Sequence, residues 1–178
     1  GKSGVTSDFI PNKYYSLYDS RVDHAVPVQI VSSGVKSVVA GKYHTIFLKK
    51  DGSLWGMGEN IDGALGTGKF GVTSDYIPNK GYSLYDSNVD HATPVQIERS
   101  GVKSVVAGPY HTIFLKKDDS LWGMGYNGNG ALGNGKAEND YRDQDADGTR
   151  EALEASPVRI VNAEVVNIAV SDFETWFV

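Results

Sequence analysis

The chain has 178 residues, 40% of them hydrophobic and 11% aromatic, enough for a globular core and too many for general disorder or low complexity. Its 17 basic and 22 acidic residues leave a net charge of −5, which argues against a nucleic-acid partner, because phosphate binding needs a basic surface and the lysine pairs here are cancelled by acidic loops. No apolar run approaches the roughly 18 residues of a spanning helix and no signal peptide opens the chain; the absence of cysteine excludes disulfides, thiol catalysis and cysteine-ligated zinc in this sequence but leaves the compartment open, a secreted or surface setting included.

A block of 64 residues occurs twice. Gly4 to Thr67 aligns without a gap on Gly71 to Asn134, 67 positions further on, with 12 differences. An insertion follows over 135–156, and a partial third repeat over 157–178, in which Val165 to Val178 matches Val102 to Leu115 at an offset of 63. Self-similarity at a fixed period marks a repeat architecture, in which each unit buries its apolar face against its neighbours. Both ends of the chain fall inside a repeat, and the sequence is expected to be a stretch of a longer polypeptide.

In chain order, each copy reads as four short strands. In the first these are Val28 to Ile30 after Pro27, Val35 to Ala40, Thr45 to Lys49 and Ser53 to Gly58, rich in Val, Ile, Phe and Thr and punctuated by Gly41, Asp51-Gly52 and Gly58. Asp51-Gly52 predicts a type I′ hairpin turn, with positive φ at both central positions. The second copy has Asp118-Asp119 there, a less favourable pair. No segment shows an apolar period of 3.6 over three turns. The expected fold is all-β, built from four-stranded antiparallel blades, about two and three-quarter repeats with long inter-strand insertions.

The string VKSVVAGKYHTIFLKKDGSLWGMGENIDGALGTG resembles the repeat of the RCC1 (regulator of chromosome condensation) family, with the Ala-Gly, His, Asp-Gly, Leu-Trp, Gly-x-Asn and Leu-Gly positions present. The resemblance covers about 34 residues of each copy and implies a β-propeller, usually of seven blades. The blades here form an incomplete ring, so further blades, or copies of the same chain, are expected to complete it.

Several residues bear on function. Trp55 and Trp122, one in each Leu-Trp-Gly strand, read as wedges between blades. His44 and His111 recur once per repeat, which fits packing and hydrogen bonding to backbone groups of neighbouring strands; a catalytic base is needed once per site. Gly123 to Gly128 matches G-x-G-x-x-G, but Ile61 breaks the pattern in the first copy and no helix follows, so no dinucleotide site is read there. The sets Asp19, Asp23, His24 and Asp86, Asp90, His91 lack an activated nucleophile.

The repeat exceeds the family's usual length by an insertion, GVTSDFIPNKYYSLYDSRVDHA, recurring as GVTSDYIPNKGYSLYDSNVDHA. Its Tyr14, Tyr15, Tyr18, Tyr76, Tyr82 and Tyr85 lie among Asp, Ser and Asn, a mixture suited to binding loops and equally to folding the insertion onto the propeller rim. The differences Tyr14/Gly81, Arg21/Asn88, Lys42/Pro109, Glu59/Tyr126 and Ile61/Gly128 fall mostly in loops and turns, while the strands are held.

The third insertion carries D-x-D-x-D-G-x5-E from Asp143 to Glu154, which resembles the calcium loop of the EF-hand family. That resemblance implies Asp143, Asp145 and Asp147 as side-chain ligands, the Thr149 carbonyl, Glu151 directly or through water, and Glu154 as a bidentate carboxylate. Arg150 replaces the usual apolar residue and flanking helices are not evident, so the alternatives are a solitary Ca²⁺ loop and a solvated acidic loop.

The sequence therefore reads as a non-enzymatic propeller scaffold binding another protein or a surface glycan through Tyr/Asp-rich loops. A structural subunit of a larger extracellular or filamentous assembly, and a propeller region appended to an enzyme outside this segment, stand as alternatives.

Overall fold

The computed structural model describes residues 27–69, 72–76, 83–85, 89–128, 130–136, 153–162, 164–171 and 174–178. The chain divides into two compact units, Gly1–Ser33 and Gly34–Val178. In the first, residues 27–33 form no strand, so the strand expected at Val28 to Ile30 is not there.

The second unit holds the strands β1 (Val35–Ala40), β2 (His44–Lys49), β3 (Leu54–Gly58), β4 (Val72–Tyr76), β5 (Ser83–Tyr85), β6 (His91–Glu98), β7 (Val102–Ala107), β8 (His111–Lys116), β9 (Leu121–Tyr126), β10 (Leu153–Val161), β11 (Ile168–Val170) and β12 (Thr175–Phe177). They form two four-stranded antiparallel sheets, β1-β2-β3-β6 and β10-β9-β8-β7, and the pairs β4-β5 and β11-β12. The fourth strand of each large sheet thus comes from the next repeat. Pro94-Val-Gln-Ile97 in β6 is the copy of Pro27-Val-Gln-Ile30, and it pairs with β3 of the preceding repeat. This corrects the assignment of that segment as the first strand of its own blade. Among the described residues, Val28 to Ile30 has no strand partner. Pro94 and Pro157 sit in the edge strands β6 and β10, where a missing N–H breaks no ladder bond.

The hairpin at Asp51-Gly52 also differs from expectation. Only Gly52 has positive φ, +85°; Gly52 N–H donates to Lys49 C=O (3.0 Å) and Lys49 N–H to Ser53 C=O (2.9 Å). This is a three-residue connection with one left-handed residue, and Asp119 takes that place in the second copy at φ +61°. Asp51 Oδ1 accepts Ser53 Oγ–H at 2.6 Å, and Ser53 Oγ accepts Trp55 Nε1–H at 2.9 Å. Asp118, Ser120 and Trp122 repeat the chain.

Neighbouring sheets pack face to face. Ile46, Leu48, Leu54 and Leu65 of the first meet Val102, Val105, Phe114 and Met124 of the second in one buried cluster. Ile113, Leu115, Leu121 and Leu132 meet Val165 and Ile168 in the next. Each fully buried Leu or Ile contributes roughly 1.5–3 kcal/mol, so the contacts between repeats carry a large part of the stability. Trp55 and Trp122 are half-buried, stacked on their cross-strand partners Phe47 and Phe114 at 6.4 and 6.5 Å. Lys116 and Arg159 both lie over the Trp122 ring, at 4.3 and 5.3 Å.

The segment after β3 reaches towards the next sheet and is held by Asn60, which is fully buried. Its Oδ1 accepts Leu65 N–H (2.8 Å), while its Nδ2 donates to Thr67 Oγ1 (3.0 Å) and Lys69 C=O (3.1 Å). Asn127 does the same for Leu132.

Candidate functional site

In the antiparallel order, the connections following β1, β3, β7, β9 and β11 all lie at one end of the sheets. Gly41 N–H donates to His44 C=O, Gly108 N–H to His111 C=O and Ser171 N–H to Glu174 C=O, each at 2.9 Å, so three equivalent tight loops line up from successive repeats. A Cβ on Gly41 or Gly108 would strike the following histidine ring, which explains glycine at these two places. Lys42 N–H donates to Pro109 C=O (3.1 Å) and ties the first loop to the second.

Lys42 is exposed and differs from its counterpart Pro109. Its Nζ donates to Tyr110 Oη at 2.6 Å and lies 5.0 and 5.1 Å from the ring centroids of Tyr43 and Tyr110. These tyrosine contacts, the Tyr110 hydrogen bond first, raise its pKa, so the ammonium stays charged. Glu59 N–H donates to Tyr43 C=O and Tyr126 N–H to Tyr110 C=O, both at 3.0 Å, which brings a second differing pair to the same loops. Burial, with Asp90 and Asp62 nearby, pushes the Glu59 carboxyl up. Tyr126 meets Tyr110 edge-on at 6.4 Å. A Cβ on Gly128 would collide with the Tyr126 ring and hydroxyl. The third differing pair, Ile61/Gly128, is thus the steric complement of the second: tyrosine at 126 requires glycine at 128.

The three loops enclose an open concavity of about 550 Å³, lined among others by Gly41, Lys42, Gly108, Tyr110, Val170 and Ser171. Beneath it lie the histidines, 4% exposed at His44 and 0% at His111. His44 Nε2 is 3.2 Å from Thr112 Oγ1, whose own hydroxyl donates to Ala64 C=O at 3.0 Å, so Nε2–H is the donor to Thr112. The partner is therefore a side chain of the next repeat and not the backbone groups anticipated from sequence. Thr175 likewise donates to Ala131 C=O, at 2.5 Å. His111 Nδ1 and Nε2 have no hydrogen-bond partner among the described residues. Burial lowers both histidine pKa values to about 4, with His111 adding repulsion at His44. Both members of the His44–Thr112 pair are buried, which leaves no approach for a substrate.

Of the residues singled out from sequence, Tyr14, Tyr15, Tyr18, Tyr82, Asp143, Asp145, Asp147, Thr149 and Glu151 lie outside the described residues. Tyr76 and Tyr85 fall on the strands β4 and β5, whose register pairs Val72 with Tyr85 and Tyr76 with Ser83, a hairpin within a segment read as loop. Glu154 lies in β10, accepts from Asn134 Nδ2 at 3.2 Å and pairs with Lys136 at 3.7 Å. Among the described residues no group of three or more His, Cys, Asp or Glu is placed to hold a metal. Asp90 accepts Asn60 N–H at 2.9 Å, a structural bond. Sequence reasoning missed Asn60, Asn127, Thr112 and Thr175. Their signal lies in the Gly-x-Asn recurrence and in the threonine that follows His44, His111 and Glu174.

Two versions of the regulator of chromosome condensation (RCC1) repeat model match the chain, one at residues 35–64 and 102–131, the other at 51–115, together more than half of it. The chain belongs to the RCC1 repeat family. Among curated relatives it is similar to the guanine nucleotide exchange factor SRM1 of Saccharomyces cerevisiae, 27% identical over 119 residues, which take in 65% of this chain and 23% of that protein. It is also similar to the probable E3 ubiquitin-protein ligase HERC6 of Homo sapiens, 29% identical over 111 residues, 62% of this chain and 10% of that protein. The chain thus spans less than a quarter of either relative. Among solved structures, yeast RCC1 (Prp20) with bound Kap60 superposes with a TM-score of 0.55 at 20% identity, over 97% of this chain and 34% of that one. Human WBSCR16 superposes at 0.52 and 20% identity over 77% of this chain and 29% of that one. At these identities the likeness is one of fold, an RCC1 propeller of which this chain supplies a part.

Proposed function

We propose that this RCC1 segment is a non-enzymatic, protein-binding scaffold, and that it engages its partner with the loops following β1, β3 and β7. The observation that carries the reading is that two differing pairs, Lys42/Pro109 and Glu59/Tyr126, are tied to the same loops, with Lys42, Pro109 and Tyr110 lining one concavity and Gly128 the steric complement of Tyr126. Exposed Tyr43 and half-buried Tyr110 supply rigid amphipathic area beside a fixed cation, the composition of a recognition surface. Solved yeast relatives bear on the partner class, since RCC1 (Prp20) carries bound Kap60 and Prp20p has binding properties to Gsp1p and histones.

The test is affinity capture from the source organism with the immobilised chain, comparing wild type with the triple variant Lys42→Gln, Tyr43→Ala, Tyr110→Phe and identifying retained proteins by mass spectrometry. A protein held by wild type and released by the variant supports the reading. The same proteins retained by both, or a glycan array bound equally by both, would move recognition off these loops.

The Asp143 to Glu154 segment is proposed as a Ca²⁺ loop on its ligand pattern alone. Titration calorimetry should register one Ca²⁺ per chain, lost in Asp143→Asn/Asp147→Asn. No heat would leave the segment a solvated acidic loop.

A further inference from the structure

Two departures from the repeat pattern meet in the concavity. Lys42 stands where the second copy has Pro109, and Ser171 stands where the first two copies have Gly41 and Gly108. Each adds a hydrogen-bond donor to a wall otherwise made of Ala, Gly, Val and Pro, with Tyr110 between them. Lys42 donates to the Tyr110 oxygen, so the Tyr110 proton is directed away from the ammonium and is available to a ligand. The N–H groups of Gly41, Gly108 and Ser171 are spent on their own turns, and that of Lys42 on Pro109 C=O of the next loop. Among the described residues the side-chain polar groups of the lining are an ammonium and two hydroxyls, with no carboxylate.

We propose that this concavity is a carboxylate-binding subsite that takes the acidic side chains of a peptide segment of the protein partner. The inference rests on the protein-binding reading and adds the chemistry of what is bound. Charge complementarity selects the occupant: among the described residues Lys42 is the charged one of the lining, and ammonium-to-carboxylate hydrogen bonds are among the stronger ones available. The volume, about 550 Å³, accommodates a few side chains and is open enough for an extended segment to cross it. Because Pro109 and Gly108 lack the donors that Lys42 and Ser171 provide, the subsite occurs once along the described repeats, which suits a single partner in a fixed register.

The test is a titration of the ¹⁵N-labelled chain with acetylated hexaglutamate, followed by amide shifts, with hexalysine and inorganic phosphate as comparison probes. Saturable shifts centred on Gly41, Lys42, Gly108, Tyr110 and Ser171 are expected with hexaglutamate. Lys42→Gln should weaken binding roughly tenfold or more, and Tyr110→Phe or Ser171→Gly a few-fold each. Lys42 is exposed and Ser171→Gly restores the residue of the other repeats, so both variants keep the fold, which unshifted amides in β2 and β8 verify. Absence of saturable shifts, shifts undiminished by Lys42→Gln, equal binding of hexalysine, or equal binding of inorganic phosphate would each overturn the proposal. Capture that depends on Tyr43 while hexaglutamate fails to bind removes the subsite and leaves the protein-binding reading. Hexaglutamate binding with capture independent of these loops does the reverse.

Discussion

Asn60 and Asn127 show how one side chain fixes a loop that no regular structure supports. Each carbonyl oxygen satisfies a buried leucine N–H, so Asn60→Ala leaves the Leu65 donor without an acceptor in a dry environment. The expected cost is about 2–3 kcal/mol, read as a lower midpoint in urea with an unchanged slope. Glu164 presents the opposite case. It occupies a left-handed backbone position, φ +73°, where Gly34 and Gly101 stand in the other repeats at +82° and +85°. Glu164→Gly relieves that strain and should stabilise by about 1 kcal/mol, seen as a rise in the thermal midpoint. The Tyr126/Gly128 pair is coupled: Gly128→Ile should destabilise by about 2 kcal/mol, and adding Tyr126→Glu, which recreates the first copy's pair, should recover most of it in a double-mutant cycle.

At the scale of strands and sheets, much of the architecture was legible and its phase was not. Gly41, Gly58 and the Asp51 turn bounded β2 and β3 because glycines and Asx turns punctuate locally. The pairing of β6 with β3 is tertiary: a repeat has no intrinsic beginning, so nothing local says whether Pro27 to Ile30 closes its own blade or the preceding one. The same holds for the concavity. Lys42 and Ser171 each depart from the repeat pattern in the sequence, but their meeting depends on how three loops stack. The interface between the sheets also predicts a pH dependence. His44 and His111 are buried neutral, their pKa lowered from 6.5 to about 4, so the unfolded chain binds more protons between those values. Their contribution is fully present above pH 6.5 and is lost as pH falls towards 4, up to about 3 kcal/mol for each. Denaturant midpoints at pH 8 and pH 5 should differ accordingly, and His111→Gln should flatten the difference.

For the whole molecule, sheets that borrow their fourth strand from the next repeat, and clusters that span two sheets, bind successive repeats into one body across residues 34–178. The strands and their buried contacts carry stability, and the loops following β1 and β3 include the differing positions Lys42/Pro109 and Ile61/Gly128. The decisive measurement places a photo-crosslinking residue at Tyr43, and in separate preparations at Val38 and Trp176, which are equally exposed at 54%, 60% and 62% but lie elsewhere or on strands. Cross-linking of one captured protein at position 43 and not at 176 is the result expected of a scaffold that recognises its partner through these loops. Cross-links at 176 with none at 43 would contradict it.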